Sequence, residues 1–157
     1  MSEKLDSYDL KGVRLDTVDR DVFYREAREE YASSGKVTRQ LKTVRVQLMN
    51  PQGRLFVQKR SKIKKENPGL YDKTIGGHVG LHDSYNLTLV KECAEELGIP
   101  AAVFSASEFN RAIKFVDLDV IGLFKEIEVV SNFESVRKSA GGDFVQPYIN
   151  AFYVGYY

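Results

Sequence analysis

The chain has 157 residues, 43% of them hydrophobic and 29% charged, with a formal net charge of +1. This composition fits one soluble globular domain with a sizeable core and excludes a disordered chain, while the balanced charge points to neither nucleic acid nor membrane as a partner. The single cysteine, Cys93, excludes an intrachain disulfide framework and a multi-cysteine zinc site, and no apolar run approaches the ~20 residues of a membrane span.

Met1 to Lys11 is polar, has no signal-peptide core, and is expected to be a loose lead-in. With the lone cysteine it points to a reducing cytoplasm. Val13 to Val18 alternates and reads as a short strand. Val22 to Ser33 is charged, lacks Gly and Pro, and reads as a helix. Thr43 to Leu48 is a strand by alternation and β-branching, Asn50-Pro51-Gln52-Gly53 a turn, and Arg54 to Lys59 the returning strand of a hairpin. Ser61 to Asn67 is a basic loop closed by a Pro68-Gly69 turn. Thr74 to Val79 reads as a strand holding a glycine pair. Asp83 to Leu97 is the strongest helix, stopped by Gly98-Ile99-Pro100. Ser105 to Phe115 reads as another helix, and Val120 to Val130 and Tyr148 to Tyr157 as strands. Short strands interleaved with helices predict an α/β or α+β layer fold. A strand at a bare end marks either a truncated chain or a terminus packed into the sheet.

At roughly 100° per residue, Leu87, Val90, Cys93, Ala94 and Leu97 share one arc of the strongest helix, with Leu89 at its edge. Glu92, Glu95 and Glu96 occupy the opposite arc at i, i+3 and i+4, where like charges repel by ~0.2–0.5 kcal/mol per pair. They also lie near the helix C-terminus, where the macrodipole disfavours anions. Either this is a solvated face that tolerates those costs, or a hard divalent cation offsets them. Cys93 reads as a small core residue.

The spacing around the helix decides. Gly77 is followed by five residues, Asp83, seven residues, and then Lys91-Glu92-Cys93-Ala94-Glu95-Glu96-Leu97-Gly98-Ile99. This resembles the Nudix box of the Nudix hydrolases from Gly77 to Ile99. Asp83 stands for the usual glutamate, Lys91 for arginine, Cys93 for an aliphatic residue, and His82 for the usual glycine before the acid. The resemblance implies an α/β fold, a Nudix-type α/β/α sandwich with a mixed sheet, as a single domain over residues 1–157. It implies hydrolysis of a diphosphate linkage in a nucleoside diphosphate derivative or related small molecule. Mg²⁺ or Mn²⁺ would be held by Glu92, Glu95 and Glu96, with the Gly77 carbonyl assisting, and Asp83 and Lys91 would brace the preceding loop. The general base is one glutamate of that set or an outside one, with Glu126, Glu128 and Glu134 as candidates.

Just upstream, Lys59, Arg60, Lys62, Lys64 and Lys65 form a basic cluster, either a solvated loop or phosphate contacts. Arg60 is the phosphate candidate because of its fork geometry. Tyr71 and Phe124 are either base-stacking or packing residues. From Lys59 to Pro100 the sequence resembles the branch that contains the isopentenyl-diphosphate isomerases. In those enzymes the position of Gly76 is a catalytic cysteine, and His78 matches a metal-binding histidine. With that cysteine absent, isomerase activity is not expected, and His78 is a candidate lining, substrate-binding residue or a histidine satisfied by the backbone. The alternative to an enzyme is a catalytically weak ligand-binding or regulatory module. A homodimer is left open.

Overall fold

The computed structural model describes residues 3–157. In chain order it has β1 (Lys4–Asp9), β2 (Arg14–Asp19), α1 (Arg20–Ser34), β3 (Arg39–Met49), β4 (Leu55–Phe56), β5 (Gln58–Lys59), β6 (Tyr71–Asp72), β7 (Ile75–His78), α2 (Tyr85–Glu92), β8 (Ala101–Phe104), α3 (Ala106–Ala112), β9 (Gly122–Arg137) and β10 (Phe144–Tyr156). An eight-stranded sheet runs β2-β1-β3-β10-β9-β8, with β4 and β7 also paired to β3. The β3–β10 and β8–β9 pairs are parallel and the others antiparallel, so the sheet is mixed. The α/β class with a mixed sheet is therefore as expected.

Strand β3 organises the molecule. Along one edge it pairs with β10 from Leu41 to Met49. Its other edge is tiled in turn by β1 at Arg39 to Leu41, β7 at Thr43 to Val46, and β4 at Leu48 and Met49. Period-2 alternation then sends its side chains to two separate cores. Val44, Val46 and Leu48, with Ala151 and Tyr153 of β10, pack with Leu89 of α2 and Cys93 of the helical turn after it. Leu41, with Phe144 and Tyr148 of β10, packs with Phe23, Tyr24 and Ala27 of α1. The helices α1 and α2 therefore cover opposite faces of the sheet.

Two expectations change, one strand was not read, and the C-terminal strand takes its place in the sheet. Residues 4–9 of the expected lead-in form β1, because Leu5 (1% exposed) and Ser7 (0%) are buried against β3 and α1. The segment from Arg54 to Lys59 is not one returning strand: only Leu55 and Phe56 pair with β3, while Gln58 and Lys59 turn away to pair with β6. The short strand β8, parallel to β9, went unrecognised, since four small or apolar residues carry no period. The bare C-terminal strand is a central strand, β10, lying between β3 and β9.

The buried stripe of α2 is also rotated from its expected position. Leu89 and Cys93 are fully buried and Thr88 is 3% exposed, whereas Leu87 and Leu97 stay 44% and 40% exposed. Glu92, rather than Leu87 or Ala94, borders the buried stripe, which sets its carboxylate against the sheet. Phe124 is wholly buried, a core residue, and Tyr71 is exposed.

Candidate metal and substrate site

The loop before α2 is shaped by short-range bonds. Asp83 N–H donates to the Gly80 carbonyl at 3.0 Å, and Ser84 caps the helix by accepting from Leu87 N–H at 3.1 Å. His82 sits at φ 67°, the left-handed region that a glycine in the family pattern adopts without cost. Lys91 Nζ donates to Asp83 Oδ2 at 2.7 Å, so the two residues read as a brace do bridge helix and loop.

Beyond Glu92 the helix widens into a π turn at Cys93–Leu97 and ends at Gly98, φ 69°. A π turn holds more residues per revolution than an α turn, so Glu95 is rotated away from Glu92 relative to α spacing, while Glu96 stays near it. Glu92 packs against β7: a Cβ added at Gly77 would lie 1.8 Å from Glu92 Oε1. The glycine is thus required for close approach of the carboxylate to the strand. Glu95 and Glu96 are exposed. Burial, followed by the nearby Glu96 and Glu95 carboxylates, pushes Glu92 up to about 7. Burial also raises Glu96, against the opposing pull of Lys73, Lys64 and Arg60.

The candidate substrate residues are placed differently. Arg60 Nε and Nη2 both donate to the Glu66 carbonyl, at 3.2 and 3.0 Å, and Nη1 reaches Asp72 Oδ2 at 3.4 Å. Its fork is occupied in closing the loop from residue 61 to 70. His78 Nε2 lies 2.7 Å from the Tyr24 hydroxyl. Arg137 donates to both Tyr148 Oη and Tyr24 Oη, and the two hydroxyls lie 2.8 Å apart. With the Tyr148 oxygen accepting from Arg137, its proton goes to Tyr24, whose own proton goes to His78 Nε2. Burial, then the cations Arg20, Arg137 and Lys73, lower His78 to about 3. It is a neutral acceptor at the end of a hydrogen-bond chain. Of the outside acids, Glu126 accepts from Tyr153 Oη at 3.0 Å, and Glu134 lines a separate cavity of about 370 Å³ with Tyr31 and Pro147.

Sequence reasoning missed the residues that tertiary structure brings to this region. Lys73 lies across Gly76, and a Cβ there would be 1.8 Å from Lys73 Cε. Glu3 and Arg20, paired at 3.4 Å, both act electrostatically on Glu92. No local motif marks any of them; only the closure of β1 and β7 onto β3 does.

Among the described residues, no three His, Cys, Asp or Glu side chains converge closely enough to hold an ion as they stand. The donor set nonetheless suits a hard cation in kind. Glu92, Glu95 and Glu96 are oxygen donors, engaged in no hydrogen bond or ion pair among the described residues, and Glu92 is desolvated beside like charges.

The NUDIX domain family model matches residues 38–146. An uncharacterized Nudix hydrolase of Streptomyces coelicolor is 43% identical over 49 residues, 31% of this chain and 27% of that protein. An isopentenyl-diphosphate Delta-isomerase of Kocuria rhizophila is 33% identical over 52 residues, 33% of this chain and 29% of that enzyme. The chain thus matches under a third of the length of these curated relatives. A crystal structure of a Deinococcus radiodurans protein superposes with a TM-score of 0.61 at 16% identity, covering 99% of this chain and 72% of that one, and so shares the fold. Members of the matched family act on small molecules and generally use divalent metals such as Mg²⁺. The glutamate helix, its glycine-backed strand and the match over residues 38–146 together establish that this chain belongs to the Nudix family.

Proposed function

We propose that the protein hydrolyses a diphosphate linkage in a nucleoside diphosphate derivative or related small molecule, in the cytoplasm, with Mg²⁺ or Mn²⁺. The observation that carries this reading is the set of carboxylates Glu92, Glu95 and Glu96, without hydrogen-bond or ion-pair partners among the described residues, the first of them pressed against Gly77. These three side chains, with the Gly77 carbonyl, would hold the ion. When bound, it supplies neutralisation of phosphate charge and a more acidic water. The chain's own contribution is positional. Leu89 and Cys93 anchor the helix in the core, and the Lys91–Asp83 pair ties it to the loop. Lys73, Lys64 and Arg60 act electrostatically on Glu96, so positive charge lies near that carboxylate. A glutamate of the set, or one outside it, takes the proton from water.

The match to an isomerase does not bring isomerisation with it. Gly76 offers no thiol, and Lys73 occupies the space a side chain there would need. The competing reading, a binding module with little catalysis, draws on the non-convergent carboxylates. A screen of nucleotide sugars, dinucleotides, nucleoside triphosphates and prenyl diphosphates for phosphate or pyrophosphate release, with and without Mg²⁺, separates the two. Metal-dependent turnover that falls at least ~100-fold (about 2.7 kcal/mol) in Glu96→Gln is expected. No turnover on any substrate would remove the enzyme reading, and unchanged turnover in the variant would remove the metal-site assignment.

A further inference from the structure

The face of the sheet that carries α1 extends beyond that helix, and there cations outnumber their partners. Asp72 is shared by Arg60 (3.4 Å) and Lys73 (3.1 Å), and Glu66 by Arg28 (2.6 Å) and Arg137 (2.8 Å). Each carboxylate thus serves two cations, and Arg45 feels Asp72 only at longer range and makes no ion pair among the described residues. Its guanidinium donates to Ser135 Oγ at 3.1 Å and stacks at 4.6 Å from the Phe133 ring centre.

Strand register brings Arg45 and Lys73 together. Arg45 of β3 lies directly opposite Gly76 of β7, and the stem of Lys73 fills the space where a side chain of Gly76 would be. The two cations are therefore cross-strand neighbours, a contact distance for long side chains. Asn150 of β10 lies opposite Thr43, two residues before Arg45 and so on the same face. Asn150 is wholly buried, its Oδ1 accepts from Thr43 Oγ1 at 2.7 Å, and its Nδ2 has no partner. A buried donor left unpaired costs about 1–3 kcal/mol, and the single Asp72 carboxylate, shared among Arg60, Lys73 and Arg45, offsets only part of the cost of desolvating those cations. Burial lowers both Arg45 and Lys73 from their ordinary values, which matches charges held at a cost.

We propose that Arg45, Lys73 and the Asn150 amide form an oxyanion subsite that receives a phosphoryl group of the substrate, on the face of β7 opposite the one that Glu92 covers. Arg45 offers a planar fork and Lys73 a mobile point charge, a combination suited to a multiply charged phosphoryl group over a single carboxylate. The subsite deepens the diphosphate reading, and it makes Gly76 a specificity residue: its lack of a side chain gives Lys73 its path.

Binding is measured on the full chain without metal, so that failure of catalysis and failure of the subsite are distinguishable. Calorimetric titration with inorganic pyrophosphate in EDTA at constant ionic strength is expected to show binding at least tenfold tighter than malonate. Arg45→Gln and Lys73→Met should each weaken pyrophosphate at least tenfold, and Lys114→Ala, remote in sequence in the turn after α3, should not. Gly76→Ala keeps every charge but displaces Lys73, and is expected to reproduce the Lys73→Met loss. Thermal melts without ligand check that each variant folds; Lys73→Met and Gly76→Ala carry the test if Arg45→Gln does not. Malonate binding as tightly as pyrophosphate would overturn the phosphoryl assignment. Pyrophosphate affinity unchanged in both Lys73→Met and Gly76→Ala would overturn the subsite itself, whatever the substrate screen returns.

Discussion

His78 provides a sharp test of the buried hydrogen-bond chain. Its Nε2 accepts from Tyr24, whose oxygen already receives Arg137 and Tyr148. A proton on Nε2 has nowhere to point. The histidine is therefore lowered from 6.5 to about 3, first by burial and then by Arg20, Arg137 and Lys73. For a histidine whose folded value lies below its unfolded one, the stabilisation is complete above pH 6.5 and is lost as pH falls toward 3. At about 1.4 kcal/mol per pH unit, the loss at pH 5 is ~2 kcal/mol. For a chain of this length that lowers Tm by ~4–8 °C. His78→Gln keeps an acceptor for Tyr24 without a titrating group. Melting of both proteins in EDTA between pH 7.5 and 5 should show the wild type losing that much relative to the variant. Subtracting the variant cancels the contributions of the other ionisable groups. Parallel curves across this range would refute the proton order assigned to the Tyr148–Tyr24–His78 chain.

Other outcomes follow from single contacts. Leu89→Ala, at a wholly buried position, should cost about 2–5 kcal/mol in a urea titration, unlike Leu87→Ala on the same helix, which is 44% exposed and should cost well under half as much. Gly77→Ala places a methyl 1.8 Å from Glu92 Oε1, so it should cost about 1–3 kcal/mol by overpacking and lower any metal-dependent turnover at least tenfold. His82→Gly relieves a left-handed backbone at φ 67° and should raise the urea midpoint by the equivalent of up to ~1 kcal/mol. Lys91→Ala removes a pair whose lysine is 51% exposed, so chemical denaturation should register less than ~1 kcal/mol.

Local order was legible in the sequence where one element suffices to specify it. The β-branched alternation of Thr43 to Leu48, the helix start at Ser105 and the Gly98 stop are each a matter of neighbouring residues, and each falls where it was read. The spacing from Gly77 through Glu92, Glu95 and Glu96 to Ile99 marked the family because it repeats a fixed strand–loop–helix unit. Its brace was legible too, since Asp83 and Lys91 are eight residues apart on one loop and helix.

The remainder depended on partners distant along the chain. Periodicity gave the helix an apolar arc of Leu87, Val90, Cys93, Ala94 and Leu97 with Leu89 at its edge; the sheet buries Cys93 and Leu89 but leaves Leu87 and Leu97 exposed and draws Glu92 inward, because Gly77 leaves room there. Lys4 to Asp9 looked too polar for structure, but a strand paired antiparallel on both sides needs only one face apolar, and Leu5 supplies it. Arg60 was read as a phosphate ligand from its fork, and the folded chain turns that fork onto the Glu66 carbonyl. Arg45 on β3, Lys73 in the link before β7 and Asn150 on β10 lie up to 105 residues apart in the chain, and no motif links them. The sequence alone determined which residues could carry charge to a phosphate and which helix holds the carboxylates. Only the tertiary structure decided which of those charges face one another, because strand register, a property of pairing rather than of composition, sets which side chains share a face.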